Sequence, residues 1–192
     1  MGDTKKSEPD RMFGEELIWL FIIGDMCIFS MFFWVYGSVR IDELDLFRAA
    51  QENLNIHYGS INTLLLLASS WLVVIAQKSL HQDEPRQSSR FIAMAGLLGT
   101  VFACLKILEY MHKAELGIDL ETNNFFLFYY LLTGLHLAHL ITGIALLFYF
   151  SLILRSSVVT STQIKTFEST AIFWHMVDLL WIIIFPLLYL LD

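Results

Sequence analysis

Five long apolar runs that carry almost no charge dominate this 192-residue sequence. Each run reaches about 20 residues, the length that an α-helix needs to cross the hydrocarbon core of a bilayer. Disordered chains are poor in apolar residues and rich in charge, so this pattern also excludes disorder. The runs therefore predict an integral membrane protein, with spans at residues 17–39, 57–77, 91–112, 123–152 and 167–191.

The predicted spans are helical. A backbone surrounded by lipid must satisfy its own hydrogen bonds, which an α-helix does within one segment. Strands of a membrane barrel would alternate apolar and polar residues over segments of about ten, and these runs do not alternate. We therefore predict an all-α fold, with a charged N-terminal tail at residues 1–16 and one five-helix membrane domain at residues 17–192.

Lysine and arginine are distributed unevenly between the two ends of the predicted bundle. The tail and the loops predicted at residues 78–90 and 151–166 lie at one end. The basic residues at this end are Lys5, Lys6, Arg11, Lys78, Arg86, Arg90, Arg155 and Lys165, against Arg40, Arg48 and Lys113 at the other end. The positive-inside rule then predicts a cytoplasmic N-terminus and an outer C-terminus. The formal net charge of -7, without a basic stripe, argues against nucleic-acid binding.

Ionisable residues inside the spans are the candidate functional residues, because a charge at mid-bilayer costs several kcal/mol on insertion scales. Asp25 lies about two turns into the first span. It either makes a structural hydrogen bond to another helix or exchanges protons. Lys106 and Glu109 stand three residues apart in the third span, where they either form a structural ion pair or belong to a site. Tyr129 and Tyr189 are predicted to be belt or packing residues.

Two helices carry paired ionisable residues one turn apart. His136 and His139 lie in the fourth span, and His175 and Asp178 repeat this spacing in the fifth, where Glu168 is predicted to share their face. Histidines and carboxylates on facing helices build metal and haem sites in bundles. The alternative is a hydrogen-bonded polar core, and the spacing alone leaves both interpretations open. Two small-residue ridges predict close helix packing: Ala95, Gly99 and Ala103 in the third span, and Gly134, Ala138 and Thr142 in the fourth, with Gly143 beside the second ridge.

The motifs of all five spans resemble those of subunit III of the haem-copper oxidases, which include cytochrome c and quinol oxidases. The most specific are TGLHLAHLITG at residues 133–143 and FWHMVDLLW at residues 173–181. The others are LFIIGDMCIFSMFFWVY at 20–36, INTLLLLASSW at 61–71 and LKILEYMHKAELG at 105–117. Their order and spacing are those of the short, five-helix form of this subunit.

The resemblance implies roles for particular positions. Asp25 stands where family members carry a membrane-buried carboxylate that is linked to proton behaviour and to a histidine partner, here His136 or His139. Other positions are expected to form a buried polar cluster. The resemblance implies some of them, and Glu168 is included because it is predicted to share a helix face with His175 and Asp178. The cluster comprises Asn62, Lys106, Glu109, Tyr110, Glu168, His175 and Asp178.

The resemblance further implies a function. It indicates a non-catalytic subunit of a terminal oxidase in aerobic respiratory electron transport, which braces the catalytic subunit and supports proton uptake in the bacterial cytoplasmic membrane. The haem and metal would lie in the partner subunit, none would be bound by this chain, and lipid is an expected ligand. The short form and the GDM and WHMVDLLWIIIFPLLYL motifs also resemble the NorE-type accessory proteins of nitric oxide reductase. An independent membrane transporter is a further alternative, although the sequence shows no inverted repeat.

Overall fold

The computed structural model describes residues 10–155 and 159–191. Within these residues the chain is helical and has no strand, as the sequence predicts. Its helices are α1 (Asp10–Asp42), α2 (Leu44–Gln51), α3 (Ile56–His81), α4 (Pro85–Glu115), α5 (Asn124–Ile153) and α6 (Ser161–Tyr189). Five of the described helices, all except α2, are long and apolar enough to cross a membrane. The five-helix membrane bundle is thus confirmed.

The helices begin and end at residues suited to those positions. Asn55 accepts a hydrogen bond from the first turn of α3, Asn123 does the same for α5, and Thr160 forms a capping box with Gln163 at the start of α6. Gly117 follows α4 with φ of 71°, where the amides of residues 117 and 118 bond back to carbonyls of the last turn. A glycine adopts this left-handed conformation without the cost that a side chain imposes.

Several helices extend beyond the bounds expected from hydropathy. α4 begins at Pro85 rather than Phe91, because proline suits the first turn of a helix. α6 begins at Ser161 rather than Phe167 because of its capping box. Consequently Lys78, Arg86, Arg90 and Lys165 lie in helical end turns instead of loops. Apolar runs mark only the part of a helix that lies in hydrocarbon. The orientation of the termini stays a prediction.

The ends of the first span also differ from expectation. Residues 1–9 of the predicted tail lie outside the described residues, whereas residues 10–16 continue α1. The short helix α2 follows α1, and its eight residues are too few to be found by a search for apolar runs of about 20 residues. Phe47 of α2 is fully buried, with its ring 5.4 Å from Tyr36 and 5.5 Å from Phe125. α2 therefore closes one end of the bundle.

The helices α3, α4, α5 and α6 form a ring in which each packs against the next and α6 returns to α3. α1 lies outside this ring, against α5 and α6, and much of its surface is exposed. Polar contacts to the end of α6 help to hold it. Tyr36 donates to the carbonyl oxygen of Leu187 at 3.1 Å, and Arg40 donates to that of Leu191 at 2.7 Å.

A buried tryptophan fills the interior of the ring. Trp174 of α6 is fully buried between Gly99 of α4 and Gly143 of α5. A Cβ atom at either glycine would lie 2.7 Å from the indole ring, closer than packed atoms approach. The two glycines therefore make room for the indole. Gly99 packs closely as its ridge predicts, whereas Gly134 of the ridge predicted on α5 meets no atom within 4 Å.

We expect Gly143→Ala to destabilise the bundle by about 1–3 kcal/mol, because the added methyl group overpacks the site of Trp174. Thermal unfolding of the detergent-solubilised protein measures this loss. Gly134→Ala is the matched control on α5, because a Cβ there meets no atom within 4 Å. Equal melting temperatures for the two variants would contradict this account of the packing.

Candidate functional site

Asp25 of α1 meets His139 of α5 inside the membrane-spanning region. Its Oδ1 lies 3.2 Å from His139 Nε2, and both side chains are largely buried. The phenylalanine rings of Phe29 and Phe173 flank the imidazole, with centroids 5.9 and 6.3 Å away. Of the two histidines implied by the resemblance, His139 is therefore the one placed against the carboxylate.

The hydrogen bonds of His139 determine what this pair can do. Its Nδ1 lies 2.8 Å from the carbonyl oxygen of Leu135, which can only accept, so Nδ1 carries a proton. A hydrogen bond between Nε2 and Asp25 Oδ1 then requires one further proton between them. The pair is either imidazolium with carboxylate or imidazole with carboxylic acid, and both forms have no net charge. This arrangement can hold and exchange one proton.

His136 lies in a different place. It is fully buried inside the ring of helices, with its imidazole centroid 5.7 Å from Phe102 and 5.3 Å from Trp181. Neither of its ring nitrogens has a hydrogen-bond partner among the described residues. Residues three apart on a helix point about 60° apart, which directs His136 to the interior and His139 to α1. The two histidines therefore do not form one site.

Lys106 is the centre of a second buried group, at the end of the bundle near the start of α5. Its ammonium group donates to Glu109 Oε2 at 3.0 Å, to Tyr129 OH at 3.0 Å and to Tyr189 OH at 2.8 Å. Tyr189 OH in turn donates to Glu109 Oε1 at 2.8 Å. All three N–H groups of the ammonium and both carboxylate oxygens are thus satisfied. The group joins α4, α5 and α6.

The two tyrosines of this group were not expected from the sequence. Tyr129 and Tyr189 are buried partners of Lys106 rather than belt residues, and the ammonium lies 4.6 Å from the Tyr129 ring centroid. A tyrosine near the end of a span has the same sequence spacing whether it is a belt residue or a buried hydrogen-bond partner. Spacing alone therefore could not have identified Tyr129 and Tyr189 as partners of Lys106. Tyr110 borders the group and shares a 2.6 Å hydrogen bond with Thr133. The centroid of its ring lies 5.5 Å from the Lys106 ammonium nitrogen.

The remaining predicted residues of the cluster lie elsewhere. Asn62 is fully buried in α3, and its amide has no partner among the described residues. Glu168 lies near the start of α6, where its side chain is 39% exposed and 3.3 Å from His81 of α3. This position corrects the prediction that Glu168 belongs to the buried cluster. The predicted cluster is therefore several separate sites.

His175 and Asp178 of α6 face α3. His175 Nδ1 lies 2.8 Å from Ser70 Oγ and 4.0 Å from Asp178 Oδ2. A hydrolytic triad needs serine and carboxylate on opposite nitrogens of the imidazole, and here both approach the same nitrogen. These residues therefore do not form a triad. Within the described parts of the chain, no group of three or more His, Cys, Asp or Glu side chains is placed to hold a metal ion.

The fold and these contacts define an integral membrane helical protein whose buried polar groups bridge its helices. The protein-family model described as cytochrome c oxidase subunit III matches residues 13–192. The chain belongs to the cytochrome c oxidase subunit III family. Its bacterial relatives and its five spans support an integral position in the bacterial cytoplasmic membrane.

Individual relatives agree with this assignment. Cytochrome c oxidase subunit 3 of Thermostichus vulcanus is 29% identical over 98% of this chain and 92% of its own length. Cytochrome bo(3) ubiquinol oxidase subunit 3 of Buchnera aphidicola is 23% identical over 97% of this chain and 89% of its own. Heme-copper oxidase subunit I+III of Aeropyrum pernix is 28% identical over 90% of this chain, which matches 22% of that longer protein.

We expect Lys106→Met to lower the free energy of unfolding by about 3–5 kcal/mol, because it leaves the buried carboxylate of Glu109 without its cation. The double variant Lys106→Met/Glu109→Gln is expected to lose less than this single variant. Thermal unfolding in detergent measures both, and Lys78→Met, at an exposed position, is the matched control. A loss in the double variant as large as or larger than that in Lys106→Met would contradict this coupling.

Proposed function

We propose that this protein is a non-catalytic subunit of a haem-copper terminal oxidase in aerobic respiratory electron transport. The match of residues 13–192 to the subunit III family carries this proposal. The partner is the haem-containing catalytic subunit, which holds the haem and the metal. The Aeropyrum pernix relative supports this partner, because its name unites subunits I and III in one protein.

The proposed mechanical role is to brace the catalytic subunit. The ring of α3, α4, α5 and α6 is tied internally by the bonds of Lys106 and by the packing of Trp174 between two glycines. These contacts lie inside the bundle and leave its outer faces available to a neighbour. A rigid bundle loses little conformational freedom when it binds, which favours a stable association.

The proposed protonic role belongs to Asp25 and His139. Their shared proton lies beside a largely apolar groove between α1, α5 and α6, with a volume of about 550 Å³. Phe21, His139 and Phe173 are among the residues that line it. We infer that the pair supports proton uptake in the complex by taking up and returning one proton, and that a lipid chain occupies the apolar groove.

A second candidate function is that of a NorE-type accessory protein of nitric oxide reductase. The GDM motif at residues 24–26 and the WHMVDLLWIIIFPLLYL run at 174–190 favour it. An independent transporter has less support. Transporters of inverted-repeat type build their sites from interrupted helices near the midplane, whereas each described span here is one continuous helix.

Affinity purification of tagged protein from its native membrane in mild detergent tests the proposal. We expect a haem spectrum and co-purification of a haem-copper oxidase catalytic subunit, identified by mass spectrometry. A nitric oxide reductase subunit in its place would select the second candidate. Colourless protein without either subunit would refute the subunit proposal and favour a transient activator or a transporter, and substrate flux into proteoliposomes containing this chain alone would then support the transporter.

We expect Asp25→Asn to leave the complex assembled but to reduce its turnover, or the number of turnovers before inactivation. An amide cannot carry the proton that the carboxyl group shares with His139. Oxygen consumption and proton uptake by the purified complex measure this effect. Asp45→Asn, at an exposed position of α2, is the matched control. Unchanged turnover, proton uptake and durability would assign Asp25 a structural role alone.

A further inference from the structure

Lys113 is a buried lysine at the end of the bundle where α3 begins and α4 ends. It belongs to the last turn of α4, yet only 3% of it is exposed. A lysine near the end of a membrane span usually extends its ammonium group towards water. Lys113 instead turns inward, where its Nζ lies 5.3 Å from the ring centroid of Tyr129 and 5.7 Å from that of Phe126. These rings offset only part of the cost of burying a charge, so the burial of Lys113 requires a further explanation.

The positive charge of Lys113 is not balanced by its buried neighbours. Lys106 and Lys113 bring two positive charges to this end of the interior, and Glu109 brings one negative charge. Both oxygens of Glu109 are already bonded, Oε2 to Lys106 at 3.0 Å and Oε1 to Tyr189 at 2.8 Å. The ion pairs among the described residues do not include Lys113. Its Nζ donates to the carbonyl oxygen of Asn53 at 3.2 Å, and its other two N–H groups have no acceptor in the described parts of the chain.

A cavity of about 300 Å³ adjoins this ammonium group, between the start of α3 and the end of α4. Lys113, Asn55 and Tyr58 are among the residues that line it, together with the paired carboxylate of Glu109. The Oδ1 of Asn55 accepts from the amide of His57 at 3.0 Å, which leaves the NH₂ group of Asn55 as a donor, and Tyr58 adds a hydroxyl group. The cavity, which we call the Lys113 cavity, therefore combines three donor side chains with one excess positive charge.

We propose that the Lys113 cavity binds a phosphate group, which is supplied by a phospholipid headgroup or by free inorganic phosphate. A phosphate group has several acceptor oxygens for Lys113, Asn55 and Tyr58, and it brings the negative charge that the two lysines lack. The cavity lies at the end of the membrane-spanning helices, which is the level of lipid headgroups. The inference goes beyond the proposed function and does not depend on it, because the groups that carry it all belong to this chain.

Thermal unfolding of the delipidated, full-length protein in dodecyl maltoside tests for a phosphate site. A ligand that binds the folded protein raises its melting temperature as the ligand concentration increases. The lipid probes are dioleoylphosphatidylglycerol and dioleoylglycerol, which has the same chains without the phosphate group. The salt probes are sodium phosphate and sodium chloride at equal ionic strength. We expect the phospholipid to raise the melting temperature and dioleoylglycerol not to.

The salt probes identify the source of the phosphate group. A rise in melting temperature with sodium phosphate, beyond that with sodium chloride, assigns the cavity to free phosphate. A rise with the phospholipid alone assigns it to a lipid headgroup. Equal responses to the two lipids, combined with equal responses to the two salts, would overturn the inference.

Substitution of Lys113 tests whether the cavity is the site. We expect Lys113→Met to weaken the apparent affinity for the stabilising probe by about ten- to a hundredfold, the effect of losing a hydrogen bond from a charged group. Lys78→Met, at an exposed position in the last turn of α3, is the matched control and is expected to keep the affinity of the unmodified chain. Unchanged affinity in Lys113→Met would contradict the proposed site.

A second variant keeps the buried charge and removes one donor from the cavity wall. We expect Tyr58→Phe to weaken the affinity for the same probe by about three- to tenfold, because the hydroxyl group no longer donates to the phosphate. Tyr149→Phe, at an exposed position of α5, is its matched control. If Lys113→Met does not fold, unchanged affinity in Tyr58→Phe would overturn the inference.

Discussion

Hydrocarbon offers no hydrogen bonds, and each polar group carried into the bilayer therefore depends on the helices around it. This constraint explains the continuous helices and the contacts between them. Lys106 meets three oxygen atoms from α4, α5 and α6, and Asp25 meets His139 across α1 and α5. Asn62 and His136 make no such contact within the described chain. The Lys106 group and the Asp25–His139 pair therefore fix the positions of the helices that they join. Asn62 and His136 instead lie between helices that other contacts hold together.

The sequence predicts the spans well because length and apolarity are local properties that lipid selects directly. It predicts less well which polar side chains meet. His136 and His139 share a motif but face different surroundings, because a separation of three residues turns them apart. Tyr189 contacts Lys106 although the two residues are 83 positions apart in the chain, and no local sequence pattern predicts that contact. Glu168 keeps the helix face predicted for it but lies near the start of α6, where it contacts His81 and is partly exposed.

These contacts all belong to the membrane bundle of a single member of the subunit III family. The interior of the ring is packed or hydrogen-bonded, whereas two polar contacts lie away from it: the Asp25–His139 pair beside α1 and the His175–Ser70 pair between α3 and α6. They involve different neighbours of α6, since α1 and α3 each pack against that helix. The two contacts can therefore be examined by substitution independently.

The position of α1 outside the ring has a consequence for biosynthesis. α3, α4, α5 and α6 each pack against the helix made just before or after them, so this ring can grow as synthesis proceeds. α1 is made before all of them, but its partners are α5 and α6, the last to emerge. Asp25 is therefore in the membrane without its partner His139 while more than a hundred further residues are synthesised. Until α5 is made, the carboxyl group of Asp25 lacks the histidine that it contacts in the folded protein.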